Sequence, residues 1–283
     1  MEKENIQVGY QGVPGAYSYI ALQKFFAGQP VAIKNYPLFE DVVRAVMAGE
    51  IRYGVLAVEN SSTGGITETY DLVRRYSAFI VGEKIIKVEH CLMACPGTKM
   101  ESVTEVYSHP QGFSQCQEFF KKHPQMKFFN YYNTAKAAEM VAAKKTNYMA
   151  AVADARAAAQ YGLKILQKGI NTNQSNYTRF IVISKEKEIT PQADKITLTV
   201  NLEHRPGALY RVLGHFARYG INMTNIESRP IAGRPWEYYF HMDITGHLTD
   251  ENVQKALGEL WVDTKDYRIL GNYPADHQKE GTS

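Results

Sequence analysis

The chain has 283 residues, of which 45% are hydrophobic and 22% are charged, and its formal net charge is +3. These proportions are those of a folded globular protein, so they exclude a disordered, collagen-like or coiled-coil chain. The near balance of 32 basic and 29 acidic residues also disfavours a dedicated nucleic-acid-binding protein. The length fits one large domain or two unequal ones.

Cysteine content and hydropathy indicate where the protein works. Cys91 and Cys95 lack a second pair to complete a zinc site, and the odd total, with Cys116, argues against a disulfide framework. No signal-peptide core precedes the first apolar run, and no apolar stretch is long enough to cross a bilayer. We therefore expect a cytoplasmic protein with no membrane or nucleic-acid partner.

The first two-thirds of the chain repeat one pattern, in which a short apolar strand is followed by a polar or glycine-rich loop and then by a helix. The predicted strands are residues 6–10, 55–58, 104–107, 127–131 and 148–152. Apolar strands that alternate with helices predict parallel sheets covered on both faces. Ligands bind such sheets beyond the carboxyl ends of the strands, which is where the polar loops lie.

The remainder of the chain follows a different pattern. Residues 185–194 are charged and lack apolar periodicity, so they are predicted to be a linker. Beyond them, strands at 196–202, 222–228, 238–245 and 267–270 alternate with two helices in the order βαββαβ. This order is that of a ferredoxin-like sandwich. We divide the chain into domains at 1–184 and 195–272, and we expect 273–283 to be a frayed tail.

The first strand-to-helix turn contains Gly15-Ala16-Tyr17-Ser18. Backbone N–H groups and the positive end of a helix dipole at such a turn suit the binding of an anion. The plainer interpretation is a tight turn without a ligand, and the motif alone does not separate the two. It is neither a dinucleotide-binding motif nor a P-loop, so nucleotide binding is disfavoured.

A denser polar loop begins with Glu59-Asn60-Ser61, directly after a buried strand. Side chains of these types can hold the carboxylate or hydroxyl groups of a ligand. The alternative is capping of the next helix by Ser62 or Thr63. Because capping needs only one such residue, we favour a functional role for the loop as a whole.

Two further motifs stand beside predicted strands. Ser108-His109-Pro110-Gln111 starts a helix, and His109 is either a general acid or base or, as we favour, a residue that holds the helix start through a hydrogen bond. Thr178-Arg179-Phe180 offers a hydroxyl donor, a cation able to clamp a carboxylate through two bonds, and an apolar wall. Strand propensity and a surface ion pair are the alternatives for this triplet, and its residues alone leave them open.

In this order, the four motifs resemble those of the prephenate dehydratase family, in the form with a C-terminal ACT regulatory domain. Gly207-Ala208-Leu209 and Glu227-Ser228-Arg229-Pro230 complete the resemblance, which spans about residues 6–271. It implies an α/β catalytic part with a periplasmic-binding-protein-like, type II fold, in which two lobes enclose a cleft. The first lobe would comprise about 1–81 plus 177–184, and the second about 82–176.

The resemblance further implies a lyase that converts prephenate to phenylpyruvate in phenylalanine biosynthesis, with no metal or organic cofactor. Its catalytic residues would be Thr178, as donor to the departing hydroxyl group, with Arg179, Phe180, Asn60 and Ser61. Its substrate-binding residues would be Gly15, Ala16, Tyr17, Ser18, Glu59, Ser108, His109 and Gln111. The motifs leave open an arogenate dehydratase on the same scaffold and, less favoured, a non-enzymatic solute-binding sensor.

The same resemblance implies feedback inhibition by L-phenylalanine through the ACT domain. The effector site would comprise Gly207, Ala208, Leu209, Asn222, Glu227, Ser228, Arg229 and Pro230. It would lie between the subunits of a homodimer or homotetramer, with the 185–194 segment as the connection to the cleft. A chain that ends near Asp194 is therefore expected to keep some activity and to lose its response to phenylalanine.

Overall fold

The computed structural model describes residues 5–231, 233–264 and 266–277. Its strands are β1 Ile6–Gln11, β2 Val31–Tyr36, β3 Tyr53–Asn60, β4 Gly64–Gly65, β5 Phe79–Lys87, β6 Cys91–Ala94, β7 Glu105–Ser108, β8 Lys127–Asn130, β9 Met149–Ala153, β10 Lys164–Gln167, β11 Tyr177–Ser184, β12 Lys195–Asn201, β13 Met223–Pro230, β14 Tyr238–Thr245 and β15 Tyr267–Tyr273. Its helices are α1 Tyr17–Phe25, α2 Phe39–Ala48, α3 Thr67–Tyr76, α4 Pro110–Ser114, α5 Gln117–Lys121, α6 Thr134–Lys144, α7 Ala155–Tyr161, α8 Ala208–Arg218 and α9 Glu251–Thr264, with one 3₁₀ turn at Met100–Ser102.

The first lobe is built on a sheet of order β2-β1-β3-β11-β5, and the short β4 pairs with β3. Strands β1, β2 and β3 are parallel, whereas β11 is antiparallel to both β3 and β5. The sheet is therefore mixed, not parallel as predicted. The reason is that β11 returns from the second lobe and enters the sheet in the opposite direction.

The second lobe has the order β10-β6-β9-β7-β8 and is also mixed. Strand β7 is parallel to β8 and β9, whereas β6 is antiparallel to β9 and β10. The single helix predicted after Ser108 is two short helices, α4 and α5, separated at Gln115-Cys116. At this break Cys116 is fully buried in the core of the lobe.

Two adjacent segments join the lobes, one after β5 and one before β11. The Val88 amide donates to the Asn176 carbonyl at 2.8 Å, and the Asn171 side chain bonds the backbone of Val88 and His90 at 3.2 and 2.6 Å. The hinge is thus a pair of hydrogen-bonded segments. Residues 82–87, expected in the second lobe, belong instead to β5 of the first, because they pair with β11.

The C-terminal domain has the order β13-β14-β12-β15, and all its strand pairs are antiparallel. Helices α8 and α9 cover one face, where Val212, Phe216 and Leu260 pack against Leu198 and Met242. The predicted βαββαβ order and ferredoxin-like topology are therefore confirmed. The segment 185–194, which leads into this domain, contains no helix or strand.

The other face of this domain packs on the first lobe. Leu270 and Tyr273 of β15 are fully buried in the same apolar cluster as Ile80 of β5 and Ile183 of β11. A Cβ atom added at Gly271 would overlap the carbonyl oxygen of Ile80, so only glycine permits this approach of the two backbones. The C-terminal domain therefore contributes Leu270 and Tyr273 to the apolar core of the first lobe, in addition to its own core under α8 and α9.

The segment after β15 is anchored over its described part, 274–277. The carboxylate of Asp276 accepts from the Ile85 amide at 2.7 Å and pairs with Lys84 at 2.7 Å. The expectation of a frayed tail is corrected here because this carboxylate binds the edge strand β5; residues 278–283 lie outside the described residues. Within the described ranges, no helix has the length and hydropathy to cross a bilayer.

Candidate active site

A cleft of about 420 Å³ lies between the two lobes, beyond the carboxyl ends of β1, β3, β7 and β8. Its lining consists of Gln11, Ala16, Tyr17, Ser18, Phe39, Ala57, Asn60, Ile66, Val88, His90, His109, Gln111, Gly112, Gln115, Tyr132, Asn133, Thr134, Thr178 and Phe180. These side chains are aromatic, apolar or neutral polar groups and two imidazoles. Among the described residues, the lining contains no Asp, Glu, Lys or Arg.

The Thr178 hydroxyl is the most constrained donor in this cleft. Thr178 is 9% exposed, and its Oγ1 accepts a hydrogen bond of 3.0 Å from Nδ2 of Asn60. Accepting a bond uses an oxygen lone pair and leaves the hydroxyl proton free to be donated to a ligand. Thr178 is thereby oriented as a donor toward the cleft.

The orientation of Asn60 follows from its other contacts. Its Oδ1 accepts from the backbone amides of Ser62 and Thr63 at 3.0 and 3.2 Å. Backbone amides only donate, so Nδ2 has to be the atom that faces Thr178. The same nitrogen lies 2.8 Å from Oδ1 of Asn176 and 3.1 Å from the Tyr177 carbonyl oxygen, so its two protons are shared among three acceptors.

Four helices of eight or more residues begin at the cleft lining, and α2 and α3 have acidic residues in their first turns, whereas α1 and α6 have none. Helix α1 begins at Tyr17 with no side-chain cap and no acidic residue in its first turn. Helix α6 begins after Asn133, which caps the Lys136 amide at 2.7 Å, and it too has no acidic residue in its first turn. Helix N-termini carry unpaired N–H groups and a partial positive charge. The cleft can therefore bind anions through the backbone, without cationic side chains.

His109 caps α4 and also lines the cleft. Its Nδ1 accepts from the Gln111 amide at 3.2 Å, and burial lowers the pKa of His109. The neutral ring then carries its proton on Nε2. The Gln111 side chain donates to the Thr63 hydroxyl at 2.9 Å, and the Tyr132 hydroxyl donates to the Pro37 carbonyl at 2.7 Å. Each of these two bonds joins a residue of one lobe to a residue of the other.

Several lining residues were not predicted as site residues from the sequence, among them His90, Gln115, Tyr132 and Asn133. His90 lies with one ring nitrogen 2.8 Å from Oε1 of Gln115 and the other 3.4 Å from the Tyr17 hydroxyl, and burial lowers its pKa. Asn133 follows β8 just as the predicted loops follow their strands, so the same rule would have found it. His90 belongs to the hinge, which the apolar pattern did not reveal.

Some residues expected in the site lie outside the cleft lining: Gly15, Glu59, Ser61 and Ser108. Ser108 is fully buried and donates to the Val152 carbonyl at 2.8 Å, and Ser61 accepts from the Tyr177 amide at 2.9 Å. A Cβ atom at Gly15 would lie 3.3 Å from Cα of Ala157. In the structure, these residues pack against neighbours or stabilise loops, and they do not line the cleft.

Arg179 points away from the cleft, because successive residues of a strand face opposite sides of a sheet. Its side chain is 10% exposed and pairs with Glu59 at 3.0 Å, Glu83 at 3.5 Å and Asp243 at 2.7 Å. The expectation that Arg179 clamps a substrate carboxylate is corrected, since its partners are the protein's own carboxylates. Phe180, one residue on, returns to the cleft side.

The residues expected to bind the effector occupy separate places. Gly207 stands before α8 in the left-handed conformation, with φ of 80°, and Ala208 and Leu209 open the helix. Asn222 is exposed just before β13. Within one chain, no hydrogen bond among the described residues joins 207–209 to the β13 motif.

Strand β13 alternates, so its motif divides between two faces. Arg229 faces the first lobe and binds the Asp71 carboxylate through two bonds of 2.7 and 3.1 Å, and Glu227 lies beside Gly65. Ser228 and Pro230 are exposed. Half of the expected effector motif therefore holds the two domains together.

Comparison with known proteins agrees with this fold. The family description "Prephenate dehydratase" matches residues 8–188, and "ACT domain" matches residues 196–262. The chain is 38% identical, over 297 aligned positions, to "Arogenate dehydratase/prephenate dehydratase 6, chloroplastic" of Arabidopsis thaliana. The alignment covers 98% of this chain and 70% of that protein.

Two solved structures are similar over nearly the whole chain. One, a prephenate dehydratase from Arthrobacter aurescens in complex with L-Phe, has a TM-score of 0.86 at 29% identity and covers 95% of this chain and 90% of its own. The other, described as "GqqA- a novel type of quorum quenching acylases", has a TM-score of 0.87 at 33% identity and covers 95% and 98%. The two-lobed fold, the C-terminal domain and these matches agree: the chain belongs to the prephenate dehydratase family, with an ACT domain following the catalytic domain.

Proposed function

We propose that this chain converts prephenate to phenylpyruvate, carbon dioxide and water. The observation that carries the proposal is the Thr178 hydroxyl, which accepts a bond from Asn60 and retains its own proton for a ligand in the cleft. The family match over 8–188 supports the same reaction class. The arrangement suits a reaction that needs orientation and one well-placed hydrogen-bond donor.

The chemistry explains why a donor is needed. As carbon dioxide departs, the electron pair of the carbon–carboxylate bond enters the ring, which becomes aromatic. The ring carbon–oxygen bond breaks with its pair on oxygen, and the hydroxide formed takes up a proton from solvent to become water. Hydroxide is a poor leaving group, so a hydrogen bond that strengthens as charge develops lowers the barrier. A threonine hydroxyl is too weak an acid to lose its proton outright, so Thr178 acts by hydrogen-bond donation.

The two carboxylates of the substrate need partners other than Arg179. The N-termini of α1 and α6 face the cleft without acidic residues in their first turns. They supply N–H donors and partial positive charge. Phe180 and Phe39 provide apolar walls that exclude water from the carboxylate that is lost.

The same lining favours prephenate over arogenate. Arogenate carries an ammonium group where prephenate has a keto group, and a buried ammonium requires a carboxylate or several acceptors. Among the described residues, no Asp or Glu lines the cleft. The ammonium form would therefore exchange its hydration shell for neutral acceptors such as Gln11 and Gln115, without an ionic partner.

The test is the initial rate of the purified chain with each substrate, measured as phenylpyruvate formed from prephenate and phenylalanine formed from arogenate. We expect kcat/KM for prephenate to be higher by roughly tenfold or more. Equal or reversed values would contradict the specificity alone. Turnover of neither substrate would contradict the function.

The similarity to a structure described as an acylase raises a second activity, hydrolysis of an acyl amide. A hydroxyl nucleophile requires a base that accepts its proton within hydrogen-bond reach. The partner of the Thr178 hydroxyl is the Asn60 amide nitrogen, which donates. We therefore expect no turnover of N-acyl amides under conditions in which prephenate is converted.

We propose that the ACT domain binds L-phenylalanine and thereby inhibits turnover. The similar structure bound to L-Phe supports an effector of this chemistry. The site would lie across two subunits of a homodimer or homotetramer, since its parts are not joined within one chain. It would comprise the exposed residues Ser228 and Pro230 and the start of α8 at 207–209. Light scattering with and without phenylalanine tests the assembly, and inhibition curves test the effect.

The domain limits 1–184 and 195–272 and a cytoplasmic location belong to the same proposal. Support for the limits comes from the absence of helix and strand in 185–194. Limited proteolysis is expected to cut first within that segment. Cell fractionation that places the native protein in a membrane or secreted fraction would contradict the location.

A further inference from the structure

The strand that carries Thr178 into the cleft also carries Arg179 into the interface with the ACT domain. Arg179 Nη1 lies 2.7 Å from Asp243 Oδ2, on β14 of the ACT sheet, and the side chains of both residues are nearly fully buried. Consecutive Cα atoms are about 3.8 Å apart, so the ACT sheet is bonded to the residue next to the proposed donor. A shift of Arg179 therefore shifts Thr178.

The other partners of Arg179 come from the first lobe. Glu59 on β3 and Glu83 on β5 lie 3.0 and 3.5 Å from the guanidinium, and the Tyr70 hydroxyl on α3 accepts from it at 3.2 Å. Glu59 is 39% exposed and Glu83 is already paired with Lys195 at 2.6 Å. Asp243 is thus the closest carboxylate that Arg179 has, and it is as deeply buried as Glu83.

Asp243 is itself held rigidly. Its Oδ1 accepts from the Thr197 hydroxyl at 2.7 Å, and that hydroxyl is bonded to the Tyr273 hydroxyl at 2.7 Å. Burial raises the pKa of the Asp243 carboxyl, whereas the Arg179 guanidinium and the Thr197 hydroxyl lower it. The net pKa is below the ordinary value, so the carboxylate stays ionised. A buried ion pair with satisfied hydrogen bonds fixes geometry even where it adds little stability.

The strand beside Thr178 and Arg179 is irregular at this point. The register between β11 and β3 shifts between Arg179 and Phe180, so that Val58 of β3 has no opposite residue. A bulge bends the strand that carries the extra residue, which here is β3, and bulges are frequent beside active sites. The bulge lies next to Glu59, which pairs with Arg179, and Asn60, which donates to Thr178.

We infer that Asp243 is a positioning residue for catalysis: through Arg179, the ACT sheet holds Thr178 in the orientation from which it donates to the departing oxygen. The inference rests on the function proposed for Thr178. It also assigns the ACT domain a part in the uninhibited enzyme, and it gives any movement of the ACT sheet a direct route to the cleft.

The test compares Asp243→Asn with Asp71→Asn. The first removes the charge that Arg179 pairs with and keeps the size of the side chain. The second removes the charge that binds Arg229 at the same interface, and among the described residues Asp71 has no hydrogen bond to β11. Rates are measured with prephenate at a temperature at which circular dichroism shows each variant to be folded.

We expect Asp243→Asn to lower kcat roughly 10- to 100-fold with KM changed less than about twofold, because a displacement of about 1 Å in the reacting geometry has effects of this size. Asp71→Asn should leave kcat within about twofold of the wild type. If Asp243→Asn does not fold, Thr197→Val, which loosens Asp243 and keeps the ion pair, should give a smaller loss of kcat in the same direction.

Two results would overturn the inference alone. The first is an unchanged kcat in Asp243→Asn or, if that variant does not fold, in Thr197→Val. The second is an equal loss of kcat in Asp71→Asn, which would mean that general docking of the domain is responsible. A wild-type chain that turns over neither prephenate nor arogenate would overturn the proposed function, and the inference with it.

Discussion

The cleft and the ACT interface lie on opposite sides of strand β11, and they are built from opposite chemistry. Among the described residues the cleft lining has no Asp, Glu, Lys or Arg, whereas the interface buries Arg179, Glu83, Asp243 and Lys195 together. Buried charges need fixed partners, so the interface has one geometry. The cleft has to admit and release a dianion, and backbone donors suit that exchange.

The comparison teaches that a motif of adjacent residues can serve two regions at once. Thr178 and Phe180 line the cleft, and Arg179 between them belongs to the interface. Arg179 is the charged residue next to the donor Thr178 in the sequence, and its charge therefore serves the interface. The following experiments test how far the two sides of β11 are separable.

Removal of the ACT domain should have the largest effect. A chain that ends at Asp194 loses Leu270 and Tyr273 from the core of the first lobe and leaves the Arg179 charge without Asp243. In place of the residual activity expected from the sequence we now expect none, because the loss of a core face is strongly destabilising and Arg179 keeps only Glu59 and Glu83 as partners. Turnover and a thermal melt of the shortened chain measure the outcome.

A folded, active chain ending at Asp194 would show that the interface is dispensable. It would also contradict the link between Asp243 and the donor. The control is the full chain with a cleavable site placed within 185–194, cut after folding, in which the ACT domain remains bound.

Replacement of the donor should have the next largest effect. Thr178→Ala removes the hydroxyl that faces the departing oxygen, and the loss of one such donor lowers kcat by roughly 10²–10³-fold. Thr178→Ser keeps the hydroxyl and the bond from Asn60, so it should retain most of the rate. Steady-state kinetics with prephenate decide the matter; equal rates for the two variants would remove Thr178 from the mechanism.

The close approach at Gly271 should matter for stability more than for chemistry. Gly271→Ala places a Cβ atom on the Ile80 carbonyl, and overpacking of this kind lowers the free energy of unfolding by about 1–3 kcal/mol. Gly258→Ala on α9 is the matched control, since nothing lies within 4 Å of its added Cβ, and a helix gains about 0.5–1 kcal/mol from the change. Urea unfolding of both variants gives the comparison, and equal midpoints would contradict it.

The smallest effect concerns pH and His241, which is fully buried at the interface. Its ring centroid is 4.3 Å from that of Tyr70, and among the described residues neither of its nitrogens has a hydrogen-bond partner. Burial lowers the pKa of His241 from 6.5 to about 4, while Asp243 and Asp71 raise it and Arg179 lowers it.

The sign follows from the protons bound. Between these two pKa values the unfolded chain binds more protons than the folded one, so the free energy of unfolding falls as pH drops through this range. Between about pH 7 and about pH 5, His241 should lower the free energy of unfolding of the wild type by roughly 1–2 kcal/mol. The variant His241→Phe should not show this decrease. Urea midpoints at both pH values measure it. A wild type and variant with the same pH dependence would exclude His241 as the group responsible.

Much of the fold was predictable because local sequence patterns indicate its strands and helices. The pattern of an apolar run followed by a polar loop and a helix correctly located β1, β3, β7, β8 and β9. The sequence also predicted the whole βαββαβ order of the ACT domain. Strand direction was not predictable for β11, since its neighbours β3 and β5 lie about 90 or more residues away along the chain, and local pattern carries no information on such pairing.

The site was predictable in part for the same reason. Asn60, His109, Gln111 and Thr178 follow or begin strands, and the structure brings them to one cleft. The misplacement of Arg179 was avoidable, because alternation along a strand already separates it from Thr178 and Phe180. The position of His90 was not, because it depends on the pairing of the two hinge segments.

The burial of β15 in the first lobe also fixes when that lobe can be finished. Ile80 is synthesised well before Leu270, which packs in the same cluster. At 5–20 residues per second, synthesis of the intervening stretch of about 190 residues takes roughly 10–40 s. During that time the nascent first lobe exposes the apolar surface that β15 will cover, so its folding is completed only after β15 has been made.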